Sequence, residues 1–287
     1  MPSGPLDRIA LALFVPADRP ELYGKAMSCG ADAVIIDLED AVPEDRKGIA
    51  RRCLASADDI LRQASCPIFI RINGSTSPFH DEDLSLVARL SVTGIVVPKA
   101  EGPEALGVIS RAVGEKRAII ALIESAVGLR DVHSVAQAAD RLAFGAIDFA
   151  LDVGCATTRE ALLFARAQIV AASRAAGRPG PIDGITVALK DPVMVEADAA
   201  YAASLGFTGK LLIHPAQLDP ARRGFAPAIA DVAWARRIME ATLNGAAQAV
   251  DGTMVDTPVR VRAERILHDA ARVRDPTTFA AEYHKSQ

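Results

Sequence analysis

PIFIRINGSTSPFHDEDLSLVARLSVTGIVVPKA, residues 67–100, decides the fold. It opens with a run rich in β-branched residues, PIFIRIN (67–73), and closes with another, GIVVPK (94–99). The segment around 80–90 between them reads as a helix. Runs that are almost continuously apolar need a sheet buried on both faces, which is the condition of a parallel sheet. A strand, a helix and a second strand make one βαβ unit.

The unit repeats in both directions. Strand-like runs stand at IALALFVP (9–16), AVIIDLE (33–39), RAIIALIE (117–124), RLAFGAID (141–148), PIDGIT (181–186) and KLLIHP (210–215). Helical segments fall around 19–29, 44–64, 103–114, 126–139, 156–176 and 191–205. Periodicity alone fits an eight-stranded open sheet as well; eight units in this span match an α/β fold of the (β/α)8 TIM-barrel type. The expected barrel covers 1–218, and 219–287 forms a C-terminal helical extension serving as lid and oligomerisation element. Within it, Asp219–Gly224 reads as a polar turn, a helical run reaches about Gly245, and DGTMVDTPVR interrupts. A last helix is expected near Pro258–Val273, its proline suited to a first turn.

Composition narrows the class. Of the 287 residues 50% are hydrophobic and 24% charged, which excludes a disordered chain. Lysine and arginine number 32 against 36 acids, a net charge of −4 that gives nucleic acid or an anionic membrane no electrostatic hold. The longest apolar runs fall short of the roughly 20 residues of a membrane span. The first residues, MPSGPLDRIA, have no secretory pattern. Cys29, Cys53, Cys66 and Cys155 are scattered without metal-ligand spacing, as expected of reduced thiols in a cytoplasmic protein.

Polar residues gather at the exits of the runs. Asp37, Glu39 and Asp40 end the second, Arg71 and Asn73 the third, Lys99 the fourth and Glu124 the fifth. Asp148, Asp183 and His214 end the last three. In a barrel these exits open on one face, the face that carries active sites. A charged residue closing a hydrocarbon run is costly to bury unless paired or liganded. One such residue is an ordinary salt bridge; a ring of them is a site.

Glu124 and Asp148, expected on adjacent strand ends about 4.8 Å apart, form the natural metal pair. Oxygen ligands without a nearby cysteine or histidine pair favour magnesium, or manganese. Arg71 can clamp a carboxylate or stabilise a developing oxyanion. His214 serves packing as readily as catalysis. Lys99 could form a Schiff base, but the acids around it keep it protonated.

At these residues the sequence resembles the citrate lyase β-subunit-like branch of the HpcH/HpaI aldolase superfamily, which includes malyl-CoA and citramalyl-CoA lyases. The matching stretches are LFVPADRPE, GADAVIIDLEDAV, FIRIN, GIVVPKAEGPE, ALIESAVGL, FGAIDFALDVG, PIDGITVALKDP, LGFTGKLLIHPAQ and DGTMVDTP. They run in family order over nearly the whole chain. The resemblance implies a magnesium-dependent barrel, a homotrimer or hexamer, acting on the CoA thioester of a small hydroxy acid such as malyl-, citramalyl- or citryl-CoA. It implies that Glu124 and Asp148 bind the metal and substrate, and that Arg71 binds substrate and stabilises the thioester enolate. Asp37, Glu39 and Asp40 would orient metal waters and Arg71. Asp256 matches the aspartate that lyases of this family place over a neighbouring subunit's site as acid/base. Two departures stand out: Ala17 replaces the usual glycine after FVP, and GSTSPFHDEDL lacks a tryptophan often found there.

Three other outcomes use the same parts: a free-acid class II aldolase, a thioesterase or synthase, and a subunit of a multi-subunit lyase acting on an acyl-carrier thioester. The first typically relies on a base histidine. The extension carrying Asp256 favours a free-standing enzyme over the third.

Overall fold

The computed structural model describes residues 5–243, 249–250 and 253–273. Eight parallel strands close into a barrel in chain order. They are β1 (Leu11–Pro16), β2 (Ala33–Asp37), β3 (Ile68–Arg71), β4 (Gly94–Val97), β5 (Ala118–Ile123), β6 (Arg141–Phe144), β7 (Ile182–Asp183) and β8 (Gly209–Leu212). The open-sheet alternative is excluded by β1, which pairs with β8 through Leu11 opposite Lys210 and Leu13 opposite Leu212.

Strand parity sorts the side chains. Ala12, Ile35, Phe69, Val96, Ile120, Leu122, Ala143, Ile182 and Leu211 fill the interior. Their alternates, among them Leu13, Val34, Ile36, Ile70, Ile95, Leu142 and Phe144, pack under the surrounding helices. Both faces are dry, which is why the runs carry so few polar residues. Continuing the inward phase upward brings Phe14, Asp37, Arg71, Glu124 and Ile213 to the C-terminal mouth. Asp37 and Arg71 are partners in the β2–β3 register.

The opposite end is closed by a guanidinium. Arg141, wholly buried, opens β6. Its Nη1 donates to Leu6 O and Ile9 O, both at 2.7 Å. Nε donates to Gly180 O at 2.9 Å and Nη2 to Thr208 Oγ1 at 3.0 Å. A buried cation is tolerated because carbonyls and a hydroxyl occupy its N–H groups.

Several expected elements differ in extent. The helix expected over 44–64 is a 3-10 turn, Glu44–Arg46, followed by helices Lys47–Ser56 and Asp58–Arg62. The run 141–148 ends as a strand at Phe144, because Gly145 turns the chain and Ala146–Val153 is helical. The stretch 219–224, expected as a polar turn, lies in helix Leu218–Phe225, whose Leu218, Ala221 and Phe225 join the barrel core. Apolar residues at helical spacing outweigh the charges between them.

Beyond it, helices Ile229–Leu243 and Thr257–Val273 pack together through Trp234, Ala235, Ile238, Ala263 and Ile266. Between them Ala249–Val250 pairs antiparallel with Thr253–Met254. Among the described residues no helix is long and apolar enough to cross a membrane.

Candidate active site at the barrel mouth

The site begins with the Asp37–Arg71 pair. Arg71 Nε donates to Asp37 Oδ1 at 2.7 Å and Nη2 to Oδ2 at 2.6 Å, a bidentate fork. Asp37 also accepts the backbone N–H groups of Glu39 and Ala41 at 2.8 and 3.0 Å. Arg71 Nη1 donates to Asp40 Oδ2 at 3.1 Å, and the guanidinium lies 4.7 Å over the Phe14 ring. Burial alone would lower the Arg71 pKa, but Asp37, Glu39 and Asp40 hold it well above its ordinary value.

Glu39 is the unsettled member. Its Oε2 sits 3.1 Å from Arg71 Nη1 but makes no hydrogen bond there or elsewhere. Burial pushes its carboxyl up to about 8 against the pull of Arg71, with Asp40 and Glu124 adding to the rise.

The loop carrying these acids is clamped from below. Lys47 Nζ donates to Leu38 O and Glu39 O, both at 2.7 Å. Asn73 Nδ2 donates to Leu38 O at 3.0 Å and to Asp83 Oδ2 at 2.6 Å, and Arg51 Nη1 to Asp83 Oδ1 at 3.1 Å. Burial lowers the Lys47 pKa, while Asp37, Glu39, Asp83 and Asp40 oppose the drop. Lys47 and Asp83 were not singled out in the sequence. Their one mark is a charge on a helix face otherwise buried: Asp83 beside Leu84, Leu86 and Val87, Lys47 beside Ala50 and Leu54.

Glu124, just past β5, is held from two sides. Its Oε1 accepts the Lys99 N–H at 2.8 Å, and Lys99 adopts a left-handed backbone, φ 46°, to deliver it. That conformation costs a non-glycine residue roughly 1–3 kcal/mol. On the other side Gly145 is pressed close: a Cβ there would stand 2.5 Å from Glu124 Oε2. Burial raises the Glu124 carboxyl to about 7; Asp148 adds to the rise.

Asp148 is not on a strand end, as had been expected. It sits in the first turn of helix Ala146–Val153, where the helix N-terminus favours a carboxylate. Burial and Asp40 raise its pKa.

Asp37, Asp40, Arg71, Glu124 and Asp148 share one cavity of about 290 Å³, and among the described residues Arg71 is the single cation lining it. Clefts of about 530 and 390 Å³ lie elsewhere, beside Arg51, Arg52 and Arg89 and beside Arg222, Ile229 and Arg236, away from the strand exits. The cavity has an excess of carboxylates, two with raised pKa values, and the orphaned Glu39 oxygen is close by. That donor chemistry fits a hard divalent cation. Among the described residues no three His, Cys, Asp or Glu side chains form a metal cage. Glu124 and Asp148 are a pair, which leaves the remaining positions to water and substrate.

Other expected rim groups have structural partners. Asp183 is out of phase with inward Ile182; it lies 3.0 Å from Arg166 Nε and 3.8 Å from Lys210 Nζ, behind the sheet. His214 Nδ1 accepts the Ala216 N–H at 3.1 Å and caps the turn Pro215–Gln217. The Lys99 side chain is exposed. Asp256, also exposed, accepts the Val259 N–H at 3.0 Å and so caps helix Thr257–Val273. It does not line the cavity of its own chain.

Comparison with known proteins identifies relatives of the chain. A family model described as HpcH/HpaI aldolase/citrate lyase matches residues 10–215. A citrate lyase subunit beta-like protein from Deinococcus radiodurans is 36% identical over 276 residues, covering 90% of this chain and 96% of the relative. Mitochondrial citramalyl-CoA lyase from Rattus norvegicus is 27% identical over 292 residues, covering 92% and 86%. Protein CitE from Mycobacterium tuberculosis, crystallised with magnesium, acetoacetate and coenzyme A, has a TM-score of 0.80 at 31% identity. That match covers 92% of this chain and 99% of that one.

Proposed function

Since the chain belongs to the HpcH/HpaI aldolase/citrate lyase family, we propose that its barrel mouth cleaves, or in reverse forms, a carbon–carbon bond of a 3-hydroxyacyl-CoA thioester. The products are an acyl-CoA and a 2-oxo acid. One observation carries the reading: a forked Asp37–Arg71 pair and the acid pair Glu124–Asp148 share a single 290 Å³ cavity. The solved relative bound to magnesium, acetoacetate and coenzyme A supports it.

Glu124 and Asp148 are the residues to hold magnesium, or manganese; when bound, the ion acidifies a substrate hydroxyl and screens the charge left on its oxygen. Arg71 meets the negative charge that develops on the thioester oxygen, the electrostatic contribution that usually weighs most. Asp37, Glu39 and Asp40 aim that guanidinium. Asp256 of another copy exchanges the proton at the thioester α-carbon.

Sharing Asp256 needs a homo-oligomer, trimer or hexamer, with 219–287 as the lid on a barrel of 1–218. Exposed apolar side chains after β6 and β7 support such contacts: Leu151 is 80% exposed, Phe164 68% and Val193 76%. The four free cysteines suit a reducing cytoplasm. The name of the Deinococcus relative favours one second reading, a β-like subunit acting on an acyl-carrier thioester within a larger complex.

The test is an assay of 3-hydroxyacyl-CoA thioesters with magnesium, following 2-oxo acid release, alongside calorimetric magnesium titration. The wild type should turn over alone. Glu124→Ala and Asp148→Ala should lose both activity and magnesium binding while keeping their far-UV circular dichroism. A double variant that binds magnesium as tightly as wild type refutes the assignment; turnover only with added partner chains supports the second reading.

A further inference from the structure

The Asp37–Arg71 fork is backed by a single peptide group, the one joining Leu38 to Glu39. Its N–H turns toward the fork: the Glu39 N–H donates to Asp37 Oδ1 at 2.8 Å, and the same oxygen accepts Arg71 Nε at 2.7 Å. Its C=O turns the other way, where Leu38 O accepts Lys47 Nζ at 2.7 Å and Asn73 Nδ2 at 3.0 Å. The Lys47 ammonium, the 38–39 peptide, the Asp37 carboxylate and the Arg71 guanidinium thus form an unbroken hydrogen-bond chain. Bonds in such a chain polarise one another, most strongly where water is excluded. Lys47, Asp37 and Arg71 are all buried.

Only one orientation of that peptide serves. Flipped, it would present a carbonyl to the Asp37 carboxylate, leaving two acceptors face to face in a dry place. Lys47 opposes the flip by holding two successive carbonyls, Leu38 O and Glu39 O, both at 2.7 Å. Among the described residues it donates to no carboxylate, so its charge serves the loop and not an ordinary salt bridge. Lys47 opens helix Lys47–Ser56, and the second donor, Asn73, is pinned by Asp83, which accepts its N–H at 2.9 Å and its Nδ2 at 2.6 Å. The metal pair stands apart from this brace, since Glu124 is held by Lys99 and by the space at Gly145.

We propose that Lys47 is a positioning residue of the active site: it locks the 38–39 peptide with its N–H toward Asp37 and thereby fixes the orientation of the Arg71 guanidinium. Lys47 lines no part of the cavity and acts through Asp37. A guanidinium held still in advance pays no reorganisation when charge develops beside it, so the brace belongs to turnover more than to substrate binding. The effect on turnover rests on the lyase reading; the effect on Arg71 does not.

The experiment labels the arginines with nitrogen-15 and follows the Arg71 Nε–H signal by nuclear magnetic resonance, the signal being assigned by its loss in Arg71→Ala. In wild type this proton, held by Asp37, should exchange slowly with water. In Lys47→Met, which keeps the side-chain length without the donor, it should exchange at least about tenfold faster, as local opening requires. Magnesium affinity, read calorimetrically, should stay as in wild type. In the thioester assay kcat should fall at least about tenfold with KM little changed, the mark of an interaction made in the transition state. Lys47→Gln, which keeps a neutral donor, replaces Lys47→Met if that variant does not fold. An unchanged Arg71 exchange rate in the folded variant overturns the proposal, and so does an unchanged kcat where the exchange has quickened. If wild type turns over no thioester, the lyase reading falls, and the exchange rate alone decides whether Lys47 fixes the guanidinium.

Discussion

Glu39 and Glu124 are carboxyls held in their protonated range by burial, at about 8 and about 7. Both values lie above the ordinary one, so the folded chain binds these protons more tightly than the unfolded chain does. The resulting stability is complete below about pH 4.5 and is lost as the pH climbs through about 7 and 8. The metal-free protein should therefore lose melting temperature between pH 5.5 and 8.5, and Glu39→Gln, which carries no titrating oxygen, should lose less. Protons and magnesium compete for Glu124, so added magnesium should raise Tm more at pH 8.5 than at pH 6. Scanning calorimetry at the two pH values checks both outcomes; a Tm gain from magnesium that does not change with pH contradicts them. At this scale the sequence was legible where strand parity applied. Asp37, Arg71 and Glu124 continue the inward phase of Ile35, Phe69 and Leu122, whereas Asp183 follows inward Ile182 and so turns away. Lys47 stayed hidden because its partners are the carbonyls of Leu38 and Glu39, and no side-chain spacing announces a carbonyl.

Among the elements, the turns after β4 and β6 matter more than the strands they end. Lys99 and Gly145 belong to different βα units, yet both meet the Glu124 carboxylate, one by an N–H and the other by having no side chain. Gly145→Ala should therefore displace Glu124 rather than unfold the barrel, since the added Cβ would also stand 2.7 Å from the Glu124 Cβ. Magnesium affinity should fall about tenfold or more, the usual cost of losing a group that orients a ligand. Calorimetric titration reads the affinity, and circular dichroism confirms the fold; unaltered binding would mean Glu124 does not need that space. Eight strands could be read from the periodicity because both faces of each are buried. The Asp148 helix could not, since RLAFGAID is apolar enough to continue as a strand and only Gly145 marks the turn.

For the whole molecule, the prediction concerns how many chains make one site. Asp256 caps a helix in its own chain through Oδ1. If it also serves a neighbour, Asp256→Ala and Arg71→Ala oligomers should each be nearly inactive, and subunit exchange between them should restore some sites that draw Arg71 from one chain and Asp256 from another. Activity recovered on mixing, with mixed oligomers verified by native mass spectrometry, checks this; verified mixed oligomers without activity place the whole site in one chain. The barrel floor bears on how such a chain comes to exist. Arg141 takes the carbonyls of Leu6 and Ile9, and the edge of β1 is completed only by residues 210–212. A ribosome making this protein therefore holds out its first strand, Leu11 to Pro16, with one side unmated while the seven other strands are translated. Of the eight strands, the first to emerge is among the last to be finished.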